Sequence, residues 1–573
     1  MRVETTDRPE AVPYTPVIIL AFVLALRLAH LSSAMTSPLT YQPGPDENYY
    51  LRFGQAVAAW HGQNGPEFTF MDPAYGFLLG AIFKVAGVNL FVVFALQCLL
   101  DTATALGIMI IGRLLGRPRA GLFGALLYGA TSVAIMFCTT MLKEVWVAAL
   151  VTWWVAGALA LMRSERTLAW LAFGVYCGIA IAFRSTLVLL AMIALLLPAL
   201  GGIVTVSGIA DRARKTALFA CGLLLALAPW SLRNYAADGS LSPLPHNGGV
   251  VLDQLYNANN PTSTIWVPDF VNYLDPTETW RGYAAEAAKR QGRVLAPAEV
   301  DAYWKHEALN YMADHPATII KLVLQKTAKF FSANEIPINR SLEEESMFSP
   351  VLKWLPAPAA WLLAMGTAGL IWLAIADRRW PIVATPIVLA LLTFTFFWAE
   401  DRFRFHTMAV LALCSGVWID RVTADAATRQ WRQIAIFGTL AGSIGAASIY
   451  IGSKFPPAPI RWHEVAWGYI HMGKIPQARS IAERIASQEP QNGQILEALG
   501  YTAIARQDYN EAAADYERAI ALRPRSHIAH YNLAKVYLKL GDVKKAEQEA
   551  QIAVSLDASP DYKVLLEQIQ RQQ

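Results

Sequence analysis

The sequence predicts an all-α, polytopic membrane protein that ends in a solenoid of helical repeats. Three observations lead there. The 573 residues are 55% hydrophobic and only 16% charged, with a mean hydropathy of +0.32; a soluble chain of this length carries more charge. Apolar runs long enough to cross a bilayer recur from the first tens of residues to about residue 452. From about Ile460 the composition changes to polar helices with alanines in register. Eighteen Trp residues suit many membrane–water interfaces. The net charge of +4 is small and spread among loops, which argues against a nucleic-acid partner. Cys98, Cys138, Cys177, Cys221 and Cys414 sit in apolar runs without metal-ligand spacing and read as small buried hydrophobes.

Residues 1–15 form a polar tail without a cleavable signal pattern, so PVIILAFVLALRLAHLSSAM reads as a retained first span. Eleven spans are expected, near residues 16–34, 90–112, 119–138, 144–162, 168–184, 186–203, 216–232, 352–376, 380–398, 404–420 and 433–452. Residues 73–87, PAYGFLLGAIFKVAG, are short, begin at a proline and contain Lys84, so they are expected to lie in the interface. With eleven spans the loops around Arg113, Arg163, Arg212, Arg378 and Arg421 share one side, which the distribution of Lys and Arg makes cytoplasmic. The tail is then cytoplasmic. Residues 16–452 form the membrane domain, while residues 35–89, the large loop 234–351 and the domain at 457–573 are extracytoplasmic. The expected location is the cytoplasmic (inner) membrane.

That topology gathers charge at one surface. Asp46 and Glu47 in GPDENYY, Lys143 and Glu144 in TTMLKEVW, Arg184 in AFRST, Arg233 in PWSLRNY, and Arg402 and Arg404 in WAEDRFRFH all come to outer span ends. Arginines on a translocated side run against the usual bias and favour a site.

The last part repeats. Tyr469, Ala503 and Tyr537 correspond at a period of 34 residues, as do Ala478, Ala512 and Ala546, with Pro490, Pro524 and Ala558 ending the three units. Small residues where paired helices touch, with a proline closing a unit, are the tetratricopeptide signature. Such a solenoid supplies a surface for a protein partner or a substrate; plain helical bulk capping the bundle is the alternative.

An acid pair, several arginines and a lipid-facing bundle suit transfer of a sugar from a polyprenyl-phosphate donor. A carboxylate deprotonates the acceptor hydroxyl, and arginines hold the leaving phosphate. A second acid alongside is expected to raise the pKa of the first. No nucleotide-binding glycine loop is required. His246 and His315 lack partners at ligand spacing, so a catalytic zinc is not suggested. No cofactor is required, and a divalent cation stays open.

The ordered series PDENYY, DPAYGFLLGAIFKVAG, LKEVW, GIAIAFRST, APWSLRNY, PLPHNGG, HPATIIKLVLQKTAKFF and EDRFRFH resembles the integral-membrane C-type glycosyltransferases, in the branch of protein O-mannosyltransferases and lipid A aminoarabinose transferases. The likeness runs over roughly residues 15–420. It implies Asp46 as the catalytic acid with Glu47 beside it, and Glu144 as the acid opening the fourth span. It further implies Arg184, Arg402 and Arg404, with Lys143, around the donor phosphate. Asp72 stands where aminoarabinose transferases carry a basic residue, a departure at the donor side.

Competing readings of single residues follow from the sequence alone. Asp46 and Glu47 could cap the helix that follows, and Lys143 could pair with Glu144. Arg184 has no nearby acid in sequence and so calls for an anion. Arg402 and Arg404 adjoin Glu400 and Asp401, Arg27 and His30 need an interior partner, and Glu335 in the outer loop reads as a loop acid or a lid residue. At the level of function, hexosyl or pentosyl transfer to a glycan, lipid or protein acceptor leads. A lipid-linked-sugar flippase, which would place polar residues near mid-membrane, and a membrane-anchored tetratricopeptide scaffold are the alternatives.

Overall fold

A computed structural model describes residues 14–60, 69–200, 208–260, 266–271, 275–337, 339–355, 359–455, 458–557 and 559–572. Most of the tail expected at 1–15, the end of the span expected at 186–203, and Ala558 lie outside the described residues. Among the described residues all regular structure is helical. The chain divides into two compact units, residues 1–33 with 44–458, and residues 34–43 with 459–573.

The first unit begins with α1 (Thr15–Ala34), α2 (Pro45–Ala58), α3 (Ala74–Ala86) and α4 (Leu90–Leu114). The apolar series continues through α5 (Pro118–Gly129), α6 (Ser132–Phe137), α7 (Glu144–Leu161), α8 (Leu168–Phe183), α9 (Val188–Leu200) and α10 (Ile209–Asp238). Shorter helices fill the large loop: α11 (Gly248–Leu255), α12 (Pro276–Gln291), α13 (Pro297–Asp314), α14 (Pro316–Phe330), α15 (Leu342–Ser346) and α16 (Pro350–Trp354). The unit closes with α17 (Ala359–Ala376), α18 (Trp380–Phe396), α19 (Asp401–Phe405), α20 (Met408–Ala427) and α21 (Trp431–Lys454).

Helices α1, α4, α7, α10 and α21 are each long and apolar enough to cross a membrane. Shorter apolar helices, α8, α9, α17 and α18, stand where other spans are expected, and the helix expected in the interface is α3. The spans expected at 119–138 and 404–420 fall on helices interrupted at Ala130–Thr131 and at His406–Thr407. Helices α8 and α10 approach so closely that a Cβ on Gly174 would lie 2.0 Å from the Phe219 carbonyl oxygen, and one on Gly222 would lie 2.1 Å from that of Leu171. Only glycine permits that crossing.

The first interruption has a physical cause. Arg27, fully buried on α1, donates to the carbonyls of Gly129 and, at 3.4 Å, Tyr128, where α5 ends. Its charge meets the negative end of that helix. The same guanidinium pairs with Asp101 of α4 at 2.7 Å, and the Tyr128 hydroxyl donates to that carboxylate. His30 lies between Ser349 and Thr139, each 2.9 Å away. These are the interior partners that Arg27 and His30 require.

The second unit stacks α22 (Trp462–His471) with α23 (Ile475–Gln488), α24 (Gly493–Ala505) with α25 (Tyr509–Leu522), and α26 (His527–Leu540) with α27 (Val543–Leu556), closed by α28 (Pro560–Gln570). Ala478, Ala512 and Ala546, the corresponding small residues, are fully buried. Residues 34–43, expected as part of the first outer loop, pack with this unit instead. A Cβ on Gly468 of α22 would lie 2.1 Å from the Pro38 carbonyl oxygen, and His471 Nδ1 meets the Tyr41 carbonyl at 2.9 Å.

Removing one partner of the buried Arg27–Asp101 pair leaves an uncompensated charge. Arg27→Met should lower stability by roughly 3–5 kcal/mol, and Arg27→Met with Asp101→Leu should recover much of it. Thermal unfolding of the single and double variants in detergent checks this; equal loss in both would remove the pair's charge as the cause.

Candidate functional site

The two acids of GPDENYY separate into different environments. Pro45 occupies the first turn of α2 and Glu47 the third position, where its Oε2 accepts from the Gly44 N–H at 2.8 Å. This is half of a capping box. Glu47 is 1% exposed; its Oε1 accepts from the Met141 N–H at 3.0 Å, and Arg340 reaches Oε2 through Nε at 2.9 Å and Nη2 at 2.8 Å. The helix-capping role therefore falls to Glu47, whose two oxygens also tie Met141 and Arg340 to α2.

Asp46 faces elsewhere. Its Oδ2 accepts from Arg402 Nη1 and from Asn339 Nδ2, the latter at 2.9 Å. Arg402 Nε lies 2.7 Å from Glu400 Oε2, so one guanidinium bridges two carboxylates. Burial by itself raises the Asp46 carboxyl, but Arg402 and Asn339 outweigh it and the net shift is downward. The expectation that Glu47 makes Asp46 more basic is thus corrected: the nearest charge to Asp46 is a cation, because Glu47 is turned toward Arg340. Burial also raises Glu400, against the pull of Arg402. It opposes the charge on Arg402, yet Glu400, Asp46 and Glu144 hold that guanidinium protonated.

Lys143 and Glu144, at the start of α7, do not pair with each other. Lys143 pairs with Asp72, whose Oδ1 accepts from the Ser185 N–H at 3.0 Å. Burial lowers Lys143, with Asp72 opposing the shift. Glu144 pairs with Arg184 at 2.6 Å, and the acid that Arg184 lacks in sequence is supplied across 40 residues. Arg184 also lies over the Phe403 ring, 4.8 Å from its centroid. Its Nε and Nη1, and the second oxygen of Glu144, are buried without a hydrogen-bond partner among the described residues. Buried polar groups are normally satisfied, so these atoms are available to bond a ligand.

Arg404 is 1% exposed and occupied. It pairs with Asp401 at 2.6 Å and donates to the carbonyls of Ser332 at 2.6 Å, Phe330 at 3.2 Å and Asn334 at 3.4 Å. That pattern holds the loop after α14 to α19. The residues brought together are Asp46, Lys143, Glu144, Arg184 and Arg402; Glu47 and Arg404 stand behind them. Asp72, Asn339, Arg340, Glu400 and His406 complete the cluster. His406 is buried with Nε2 unpartnered, within electrostatic reach of Arg184, Lys143 and Arg402. Its place beside two arginines in RFRFH was the available sequence signal. Asn339 and Arg340 carried none, being 293 residues from their partners. A small, mostly apolar pocket with a free volume of about 20 Å³ lies among Val151, Thr186, Leu190, Pro386, Phe403 and His406. Among the described residues no three His, Cys, Asp or Glu side chains group so as to hold a metal ion.

Residues 69–232 match the family described as dolichyl-phosphate-mannose-protein mannosyltransferase. The chain carries a mannosyltransferase-family segment. That segment contains Asp72, Lys143, Glu144 and Arg184; Asp46, Glu47, Arg402 and Arg404 lie outside it. Residues 497–563 match the tetratricopeptide repeat. No curated protein matches the chain. Similar solved structures include the archaeal oligosaccharyltransferase AglB from Archaeoglobus fulgidus in complex with an inhibitory peptide and a dolichol-phosphate. It shows 14% identity and a TM-score of 0.42 over 79% of this chain and 58% of that one. They also include ArnT from Cupriavidus metallidurans bound to undecaprenyl phosphate, with 14% identity and a TM-score of 0.34 over 73% of this chain and 80% of that one. The chain thus spans 58% of the length of the archaeal enzyme.

Arg340 neutralises the buried Glu47. Arg340→Met should cost stability of about 3–5 kcal/mol through the orphaned carboxylate, and Glu47→Gln in the same chain should restore part of it. Melting temperatures of the three variants decide this; an unchanged Arg340→Met would show that Glu47 is held without it.

Proposed function

We propose that the protein transfers a sugar from a polyprenyl-phosphate donor to an acceptor hydroxyl at the outer face of the cytoplasmic membrane. One observation carries the reading. The buried guanidinium of Arg184 keeps two N–H groups without a partner among the described residues, within electrostatic reach of Lys143 and over the ring of Phe403. A phosphate group satisfies those donors. The family segment that contains Arg184 supports the same donor class.

Asp46 is the catalytic carboxylate of this reading. Held ionised by Arg402, it is free to take the acceptor's proton while the acceptor oxygen bonds to the anomeric carbon. The bond from that carbon to the phosphate oxygen breaks, and the electron pair leaves on the polyprenyl phosphate. Arg184, Arg402 and Lys143 face the charge that develops there. Glu144 orients Arg184, Glu47 anchors the start of α2, and Arg404 holds the loop that presents Asn339. The repeat unit supplies a surface for a partner or an acceptor.

Asp46→Asn should lower turnover by roughly a hundred- to ten-thousand-fold, the range for losing a general base. Melting temperature should fall as well, because Arg402 then keeps Glu400 as its one charged partner among the described residues, so turnover is compared on protein shown to be folded. Transfer from a radiolabelled polyprenyl-phosphate sugar in membranes measures it, and a fully active variant would sink the assignment.

Arg184→Ala should weaken donor use more than Arg184→Lys, which keeps the charge and loses the fork. Equal, full activity of both variants would remove Arg184 from the site. Orientation has its own test. A reporter fused after residue 456 should be active outside the cytoplasm, and one fused after Arg214 inside; both on one side would reverse the placement of the site.

A further inference from the structure

A narrow cleft opens beside the Asp46–Arg402 pair, with a free volume of about 20 Å³. One wall is apolar, formed by Met136, Phe137 and Leu142. The other carries Glu335, Asn339 and Arg402. Asn339 and Arg402 are the two residues that bond Asp46, so the cleft adjoins the catalytic carboxylate through both of them. Glu335 presents an Oε1 that is buried and has no hydrogen-bond partner among the described residues. A buried carboxyl oxygen without a partner is costly, and a cleft of this size admits one hydroxyl or one water and excludes a ring.

We propose that this cleft is the acceptor subsite of the reaction proposed above, and that Glu335 reads a second hydroxyl adjacent to the one that attacks. The attacking hydroxyl lies toward Asp46, and its neighbour enters the cleft to meet Glu335 Oε1. The acceptor is therefore a vicinal diol, as on a sugar ring, of which one hydroxyl enters the cleft while the ring stays outside it. A single isolated alcohol would leave Glu335 unsatisfied, and a site built to bond a hydroxyl discriminates against an analogue without it.

The charge state fits. Burial raises the Glu335 carboxyl to about 8, with Asp401 adding to the shift and Arg404 opposing it. Arg340, Glu400 and Arg402 also line the cleft. At neutral pH the group is then largely protonated, and it can both donate to and accept from a hydroxyl, which does the same. An ammonium group on the acceptor gains nothing from it.

The proposal rests on the glycosyl-transfer reading, and the test separates the two. Full-length protein in membranes is given synthetic polyprenyl-phosphate mannose with three acceptors: an octyl hexoside, its monodeoxy analogues and a serine-containing peptide. The wild type should favour the hexoside over one deoxy analogue by about ten- to a hundred-fold, the value of one buried hydrogen bond. Glu335→Ala should bring that ratio to within about threefold, and Glu335→Gln, which still donates and accepts, should keep most of it. Where Glu335→Ala fails to fold, the wild-type and Glu335→Gln ratios carry the test. Equal use of hexoside and all deoxy analogues by the wild type, preference for the peptide, or an unchanged ratio in Glu335→Ala overturns the proposal. Asp46→Asn should be inactive toward every acceptor. Full activity there, or no transfer by the wild type, defeats the glycosyl-transfer reading instead.

Discussion

The arrangement turns on Arg402, a guanidinium held between two carboxylates from different parts of the chain. Taking three charged groups out of water is expensive, and mutual attraction repays it only when the geometry is close and the remaining donors are used. Arg402 meets Asp46 at the start of α2 and Glu400 just before α19. Asn339, from the loop after α14, completes the grip on Asp46. Three segments far apart in sequence are thereby fixed at one point. The same contacts set the electrostatics: a carboxylate beside a fixed cation stays ionised, and the cation beside two carboxylates stays charged.

Satisfaction of hydrogen bonds divides the charged residues into two groups. Glu47 uses both carboxylate oxygens, and Arg404 its two terminal nitrogens, on backbone groups and on opposite charges. They are what holds a loop or a helix start in place. Arg184, Glu144, His406 and Glu335 keep buried polar atoms without partners among the described residues. Such atoms also occur singly elsewhere, at Trp154, Trp170 and Tyr516, and the outer cluster differs in gathering Arg184, Glu144 and His406 together. Near neighbours in sequence take different partners, because on a helix start successive side chains point in different directions. Asp46 and Glu47 show it, as do Arg402 and Arg404 two positions apart.

Much of the architecture was legible because it depends on local periodicity. Apolar runs predict helices α1, α4, α7, α10 and α21, and the alanine register predicts the paired helices of the repeats. Pro73 and Lys84 marked α3 as a short separate element. What escaped was pairing at a distance. Asp101 lies 74 residues from Arg27, and nothing in LLDTATAL says that it faces a cation. The break between α5 and α6 escaped too, since it depends on Arg27 reaching two carbonyls and the apolar run continues through it. The charged outer span ends were visible in sequence, yet their pairings were not: Lys143 with Asp72 and Glu144 with Arg184 depend on which way the α7 start faces. Glu335 read as an ordinary loop acid for the same reason, its surroundings being Asp401 and Arg404 from a distant helix.

The segment before α2 shows a packing of the repeats that periodicity alone could not suggest. Residues 34–43 belong to the compact unit of the repeats. Pro38 fits against Gly468 so closely that a Cβ there would lie 2.1 Å from its carbonyl oxygen. Tyr41 offers its carbonyl to His471 at 2.9 Å, and Thr40 turns back to the Ala34 carbonyl at 2.7 Å. Gly44, Pro45 and Asp46 follow this segment directly in the chain. A solenoid of stacked pairs rests each repeat only on its neighbours, and the first pair, α22 with α23, is the one that holds the segment.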